Sequence, residues 1–357
     1  MTKPGRLCIV PQVSGIGGMV SFRYKLIAGL EQRGIQVSHD LADGPYQAVL
    51  VIGGTRQLAA LWRVRRQGIP LVQRLDGMNW LHRMPAPAGE GRLLARRTGW
   101  RHFLRAEYGN RVLSLIRSRL ASRVVYQSHF VQSWWQRVHG DTPVPSTVIY
   151  NGVNLQTYNP EGPGKPPPDR YRLLMVEGSL MGGYEGGLAT GVALAQRLGE
   201  RLERPVELMV VGRVAPQVQQ AWQKRLAGAQ RWVSLVWAGQ VDPSNIPQID
   251  RSAHLLFSAD INAACPNAVI EALACGLPVV SFDTGAIPEL VTGDAGRVAP
   301  YGGDPWQLDP PDIDALAESA IKILENPTHF RQEARRHAET AFGLDTMVQA
   351  YLDILAL

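Results

Sequence analysis

Asp76, in the run QRLDGMNW, follows an apolar stretch and precedes a glycine turn, so its carboxylate is expected at the end of a buried strand. An acid placed there could orient an acceptor hydroxyl or take its proton, and it could equally cap the turn. His82 and His129 are further acid–base candidates in the same half of the chain, although a lone histidine is more often structural. The loop Gly15-Ile16-Gly17-Gly18 carries a Cβ at one position in four, which lets backbone approach a ligand closely or simply makes a tight turn. It fits a dinucleotide fingerprint only in part, because Gly15 and Gly17 are followed by Val20 rather than a third glycine, and only His39 and Asp40 lie where a ribose-binding acid would end the second strand. No G-x-x-x-x-G-K occurs, which excludes P-loop phosphoryl transfer. Asp312-Ile313-Asp314 has the form of a metal-binding D-x-D, but after Pro310 and Pro311 it reads as a helix N-cap. In CPNAVIEALACGLPVVSFDTGAIPELV, residues 265–291, Pro266 and Asn267 open a helix, Glu271 falls one turn further along, Gly276 stops it, and an apolar strand leads to the glycine turn at Gly285. The start of such a helix, with Asn267, Ala268 and the following amides, offers N–H groups and a positive dipole end to a diphosphate. Arg213, directly after the strand 206–212, could add a cation or be a solvated arginine.

These residues need elements to hold them. Apolar runs at 6–13, 47–52, 69–75, 123–127 and 146–150 alternate with helical or polar segments, which predicts a parallel sheet covered on both faces. The breaker-rich stretch NPEGPGKPPPD, 159–169, then interrupts the pattern. A second alternation follows, with strands at 171–178, 206–212, 232–239, 254–259 and 277–283 and helices at 185–202, 216–228, 246–251 and 267–275. Three helices, 312–325, 328–342 and 344–356, close the chain. The expected organisation is α/β and doubly wound throughout, with a first domain at 1–160, a linker at 161–170, a second domain at 171–340, and a C-terminal helix, 341–357, able to pack back on the first domain.

The 357 residues are 45% apolar and 19% charged, which excludes disordered, collagenous and small disulfide-stapled classes. Cys8, Cys265 and Cys275 have no metal-ligand spacing, so no metal site is indicated and a reduced compartment is expected. No apolar run reaches membrane-spanning length and the N-terminus shows no signal-peptide pattern, so the expected location is cytoplasmic. Charge is uneven. From Arg92 to Arg123 there are nine arginines and one acid, Glu107, so this segment carries +8 and the remainder −2. Arg97, Arg101 and Arg105 recur at helical spacing, with Leu93, Leu94, Leu104, Leu113, Ile116 and Leu120 available for an apolar face. Such a surface could meet an anionic membrane leaflet at the inner face, an acidic acceptor or nucleic acid, or be no more than a solvated helical face.

With these segments in view, the sequence resembles the retaining nucleotide-sugar glycosyltransferases of the GT-B type, glycosyltransferase family 4 (GT4) in particular. Residues 265–291 carry the likeness most strongly, and IYNGVNLQTYNP (149–160) and GIGGMVSFRYKLIAGLEQRGIQV (15–37) extend it over nearly the whole chain. The resemblance implies two Rossmann-like domains facing a central cleft, and retaining transfer of a sugar from a nucleoside diphosphate to a glycan, lipid or small-molecule acceptor. No cofactor or metal is needed, and no nucleic-acid partner is expected. It also implies that Glu271, the second of a glutamate pair eight residues apart, holds the donor ribose, for which two vicinal hydroxyls facing one carboxylate are suited. Gly17 and Gly18 would line the phosphate side. The first glutamate of the pair would stand at 263, where this chain has Ala263, and the family's Arg and Lys after the strand 171–178 are replaced by Ser179 and, nearby, Tyr184. Arg213 and the helix start at Asn267 are left to face the diphosphate. The same departures leave open a catalytically silent GT-B protein that binds nucleotide or glycan or partners an active transferase.

Overall fold

The computed structural model describes residues 5–15, 17–84, 100–180, 186–227 and 231–357. The chain divides into two units, unit 1 comprising Met1–Gly152 with Phe342–Leu357, and unit 2 comprising Val153–Ala341.

Unit 1 runs β1 (Arg6–Val10), α1 (Gly18–Glu31), β2 (Gln36–Ser38), β3 (Ala48–Ile52), α2 (Leu58–Arg66), β4 (Leu71–Leu75), α3 (Trp100–Leu115), a π-helical turn Ile116–Leu120, β5 (Arg123–Tyr126), α4 (His129–His139) and β6 (Ser146–Val148). The central strands β3 and β4 are buried on both faces. All five residues of β3, AVLVI, are buried, as a parallel strand covered above and below requires. Gly34, with φ +77, ends the first helical segment by turning the chain so that the Ile35 N–H reaches Leu30 O at 3.1 Å. The strands are parallel in the order β2-β1-β3-β4-β5-β6.

Unit 2 runs β7 (Tyr171–Leu180), α5 (Gly186–Leu202), β8 (Val206–Val214), α6 (Pro216–Leu226), β9 (Val233–Gly239), α7 (Ile246–Arg251), β10 (Leu255–Phe257), α8 (Asn267–Ala274), β11 (Val279–Phe282), α9 (Ile287–Leu290), β12 (Gly296–Ala299), α10 (Ile313–Glu325) and α11 (Pro327–Ala341). Its sheet has the order β12-β11-β10-β7-β8-β9, again parallel. The Asp312 Oδ1 accepts the Ala315 N–H at 2.9 Å, so Asp312-Ile313-Asp314 is the N-cap of α10 that its prolines predict.

Two strands have no counterpart in the sequence expectation. β2 and β12 are three and four residues long, and their partly polar segments QVS and GRVA carry no continuous apolar run. They are edge strands, and edges need little burial.

The expected linker and the residues just before it are fastened by side chains of unit 2. Arg251 donates to Pro163 O (2.8 Å) and Asn159 O (3.0 Å), and Arg335 donates to Tyr158 O (2.8 Å) and Leu155 O (3.3 Å). Guanidinium groups thus satisfy carbonyls that the prolines leave without a ladder partner.

The last helix, α12 (Leu344–Leu355), lies on α1. Its Met347, Val348, Tyr351, Leu352 and Leu355 share one core with Leu7, Ile9, Phe22, Leu26 and Leu30. A Cβ on Gly29 would stand 2.5 Å from Val348 Cγ2, so α1 meets the helix through a glycine. Tyr351 is fully buried there. Tyr351→Ala is expected to destabilise unit 1 by about 3 kcal/mol or more, in line with other large-to-small core truncations. In urea the unit 1 transition should move to lower concentration while that of unit 2 stays in place, followed by tryptophan fluorescence and unit-specific amide exchange.

Candidate functional site

In a parallel sheet the ligand-binding loops follow the carboxyl ends of the strands, where neighbouring connections depart to opposite faces. In unit 1 that place lies between β1 and β3, and in unit 2 between β7 and β10.

After β1, Gly15 (φ +103) and Gly17 (φ +143) adopt backbone conformations that side chains disfavour, and a Cβ at either would meet nothing within 4 Å. The conformation demands glycine here, and crowding does not. Gly17 is the N-cap of α1 and supplies no side-chain cap.

Asp76 follows β4, and a buried cation holds it. Arg74, 1% exposed, lays its guanidinium over the Phe22 ring at 3.7 Å and donates to Asp76 Oδ1 at 2.7 Å and Asn151 Oδ1 at 2.8 Å. Asn151 donates in turn to Gln127 Oε1 at 3.4 Å, and Gln127 also bonds the Asp76 carboxylate. The Asp76 side chain remains 28% exposed. Burial pushes its carboxyl above the ordinary value, and Arg74 and Gln127 oppose that shift without cancelling it. Asp76 is therefore a fixed and accessible oxygen pair with heightened basicity, the state a general base needs.

The remaining unit 1 candidates, His82 and His129, are held by other side chains. His82 Nε2 pairs with Glu107 Oε1 at 2.8 Å and its side chain is 2% exposed. Arg83 bonds the same carboxylate at 2.7 Å, and hydrogen bonds from Arg83 and His82 hold Glu107 down at about 2. His129 opens α4 edge-on to Tyr150. Trp134 and Trp135 are buried, and Trp135 Nε1 donates to Asp76 O at 2.8 Å.

In unit 2 the strands β7 and β8 pair from Tyr171↔Val206 onward, slip between Val176 and Ser179, and resume at Ser179↔Arg213. Gly212 (φ +132) allows the slip, since a Cβ there would fall 1.8 Å from Glu177 O. Arg213 lies exposed beyond it, with Nη2 3.4 Å from Gln240 Oε1. The helix α8 begins with the partly buried Asn267 and Ala268 and has no acid in its first turn. Ala263, 7% exposed, abuts the turn at Gly285, where a Cβ would fall 2.4 Å from Ala263 N. Glu271 is partly buried on α8.

Sequence reasoning missed the acids around these positions. Glu177, at the end of β7, is pushed well above the ordinary carboxylate value by burial and then by the charge of Asp260, which follows β10. Asn262 is 6% exposed with φ +57, and its Nδ2 has no hydrogen-bond partner. Asp250, 1% exposed on α7, is raised well above its ordinary value by burial and then by the charge of Glu271, against the hydrogen bond from Cys275 and the charge of Arg251. Burial and the same Glu271 charge push the Tyr158 phenol up. Strand ends could have flagged Glu177 and Asp260, but only the fold brings Tyr158, Asp250 and Glu271 to one place.

Arg92, Arg96, Arg97, Leu93, Leu94 and Tyr184 lie outside the described residues, and so does the Ser179 side chain. In the rest of the basic segment one expectation needs correction. Arg117 is 1% exposed, donating to Tyr126 Oη (2.8 Å) and Gly140 O (2.6 Å), because the π-helical turn rotates it inward. Leu104 is 53% exposed, whereas Ile116 and Leu120 are buried. Among the described residues no helix is long and apolar enough to cross a membrane.

Residues 181–326 match the family model for glycosyl transferases group 1. An O-antigen chain mannosyltransferase B of Escherichia coli is 28% identical over 124 residues, which cover 34% of this chain and 28% of that protein. The chain thus aligns with less than a third of the length of this curated relative. Sucrose-phosphate synthase from Thermosynechococcus elongatus superposes with a TM-score of 0.70 at 16% identity, over 99% of this chain and 100% of the other. Anabaena HepE, solved with UDP and glucose, gives 0.65 at 19% identity over 99% of each. The fold is the two-domain α/β GT-B fold.

The Asp250 carboxyl gives a pH test. Its folded-state value lies above 3.8, so it stabilises the protein fully below the unfolded value and that contribution is lost as pH rises through the folded one. Asp250→Asn should therefore melt like wild type in acid and at higher temperature than wild type near neutrality. Calorimetric melting of both proteins across pH checks it, and parallel curves would show that Asp250 titrates normally.

Proposed function

Because residues 181–326 belong to the group 1 glycosyltransferases, we propose that this protein transfers a hexosyl group from a nucleoside diphosphate to an acceptor hydroxyl with retention of configuration. The observation that carries the reading is that the matched segment contains the carboxyl edge of the unit 2 sheet, with the acid-free start of α8 and Glu271 one turn along it.

In this reading Glu271 accepts hydrogen bonds from the two ribose hydroxyls. The Asn267 and Ala268 amides at the positive end of α8 meet the diphosphate, and Arg213 adds the side-chain cation that Ser179 and Tyr184 do not supply. Gly17 and Gly18 let backbone approach the phosphate side closely. Asp76, aligned by Arg74, accepts the proton of the acceptor hydroxyl as the new glycosidic bond forms and the nucleoside diphosphate departs. Only positioning and charge stabilisation are asked of the protein, so the step is written without a metal or cofactor. Glucosyl and mannosyl donors both have support, from HepE crystallised with UDP and glucose and from the mannosyltransferase relative.

Calorimetry of the full chain against UDP-, GDP- and ADP-sugars and the free nucleotides tests the donor site. One base should bind selectively, and Glu271→Ala should weaken it about 10- to 100-fold, the effect of losing charged hydrogen bonds worth roughly 1.5–3 kcal/mol. Binding to no member of the panel would reject the donor site.

Ala263 motivates a second reading, a GT-B protein that binds donor without turning it over. Where the resemblance implies a glutamate toward the donor sugar, this chain has only a methyl group, on a backbone that abuts the Gly285 turn. Under that reading Ala263→Glu creates donor hydrolysis or transfer that the natural chain lacks. Under the transferase reading the natural chain already turns donor over without that glutamate. Nucleotide release, measured for both proteins, separates the two.

A further inference from the structure

The helix α3 carries an apolar stripe on the outside of the protein. Trp100 (70% exposed), Leu104 (53%), Tyr108 (50%) and Leu115 (43%) recur every three or four residues through Arg111, so at about 3.6 residues per turn they share one face. An amphipathic helix normally turns such a row inward, but here only Asn110 and Val112 are buried. Exposed arginines, Arg101, Arg105 and Arg111, flank or interrupt the stripe. The helix has one acid, Glu107, and it is turned to His82 and Arg83. The neighbouring α2, tied to the end of the same helical run by Arg65 donating to Leu120 O and Ala121 O at 3.2 Å, adds exposed Trp62 with Arg66 over its ring at 3.9 Å.

We infer that α3 is a docking face for an anionic lipid leaflet, lying in the plane of the interface with Trp100, Leu104, Tyr108 and Leu115 among the acyl–headgroup boundary and the arginines on lipid phosphates. Charge chooses this occupant. A second copy of the chain would set arginines against arginines with no acid opposite, and a nucleic acid would leave the leucines exposed to water. A negative leaflet satisfies the guanidinium groups and removes the apolar row from water, and tryptophan and tyrosine are the side chains that suit that boundary. The inference stands on unit 1 alone and does not depend on the transferase reading.

The test is flotation of the full chain with vesicles of phosphatidylcholine, with and without phosphatidylglycerol, over a range of salt. The chain should float with the mixed vesicles and not with phosphatidylcholine alone, and salt should weaken but not abolish it. Arg101→Gln/Arg105→Gln/Arg111→Gln should reduce partition about 100-fold, at roughly fivefold per arginine. Leu104→Gln/Tyr108→Ser, at exposed positions that leave the melting temperature unchanged, should abolish the salt-resistant part. No flotation at low salt, or full salt-resistant flotation of the apolar variant, overturns the inference. So does light scattering that shows a dimer dissociated by that variant, since the occupant is then a second copy.

Discussion

Parallel pairing is the constraint on which both units depend. A strand that pairs parallel with its neighbour must return over a face of the sheet, so loops of one kind gather at the carboxyl edge and apolar side chains fill both faces. In unit 2 the order β12-β11-β10-β7-β8-β9 sends the connections of β7 and β10 apart. Glu177, Arg213, the segment from Asp260 to Ala263, and the α8 residues Asn267 and Glu271 come to one edge from distant parts of the chain because each lies near the carboxyl end of a strand or in the connection after it. In unit 1 the same rule places the Gly15–Gly18 loop and Asp76 at the ends of β1 and β4.

The helix α8 shows how that edge is polarised. Its N-terminal turn carries no acid and no side-chain cap. Its C-terminal end is met by cations, since Arg335 donates to Ala274 O at 2.7 Å and Arg331 to Gly276 O at 3.2 Å. Arginines therefore neutralise the negative end of the dipole. The same Arg335 holds the backbone of residues 155–158, so the strap that carries Tyr158 and the helix that carries Glu271 share one anchor.

Much of this was legible in residue order. Strands such as AVLVI and VVSF announce themselves by continuous apolar runs, and Gly34 and Gly276 mark helix ends. The two six-stranded sheets follow from the alternation, save for the edge strands β2 and β12, whose polar residues carry no such signal. Glu271 could be found from its place on a helix opened by Pro266 and Asn267. Its acidic surroundings could not, because Tyr158, Asp250 and Glu271 stand 92 and 21 residues apart in the chain and meet only through packing. Arg117 was misplaced for a related reason. An arginine run predicts a solvated face, but a π-helical turn breaks the 3.6-residue period and swings one member inward to Tyr126.

The distribution of cations bears on the proposed chemistry. The guanidinium groups of Arg251, Arg331 and Arg335 are committed to backbone carbonyls, Arg74 to Asp76 and Asn151, and Arg101, Arg105 and Arg111 to the outer face of α3. The unit 2 edge instead holds Glu177 and Asp260. Two carboxylates beside a departing diphosphate would repel it if both were ionised. Burial and the charge of Asp260 push Glu177 toward its neutral form, in which the repulsion falls and the carboxyl gains a hydrogen to donate. On the proposed reading, a neutral Glu177 lowers that repulsion, and backbone amides at the start of α8 with Arg213 face the diphosphate.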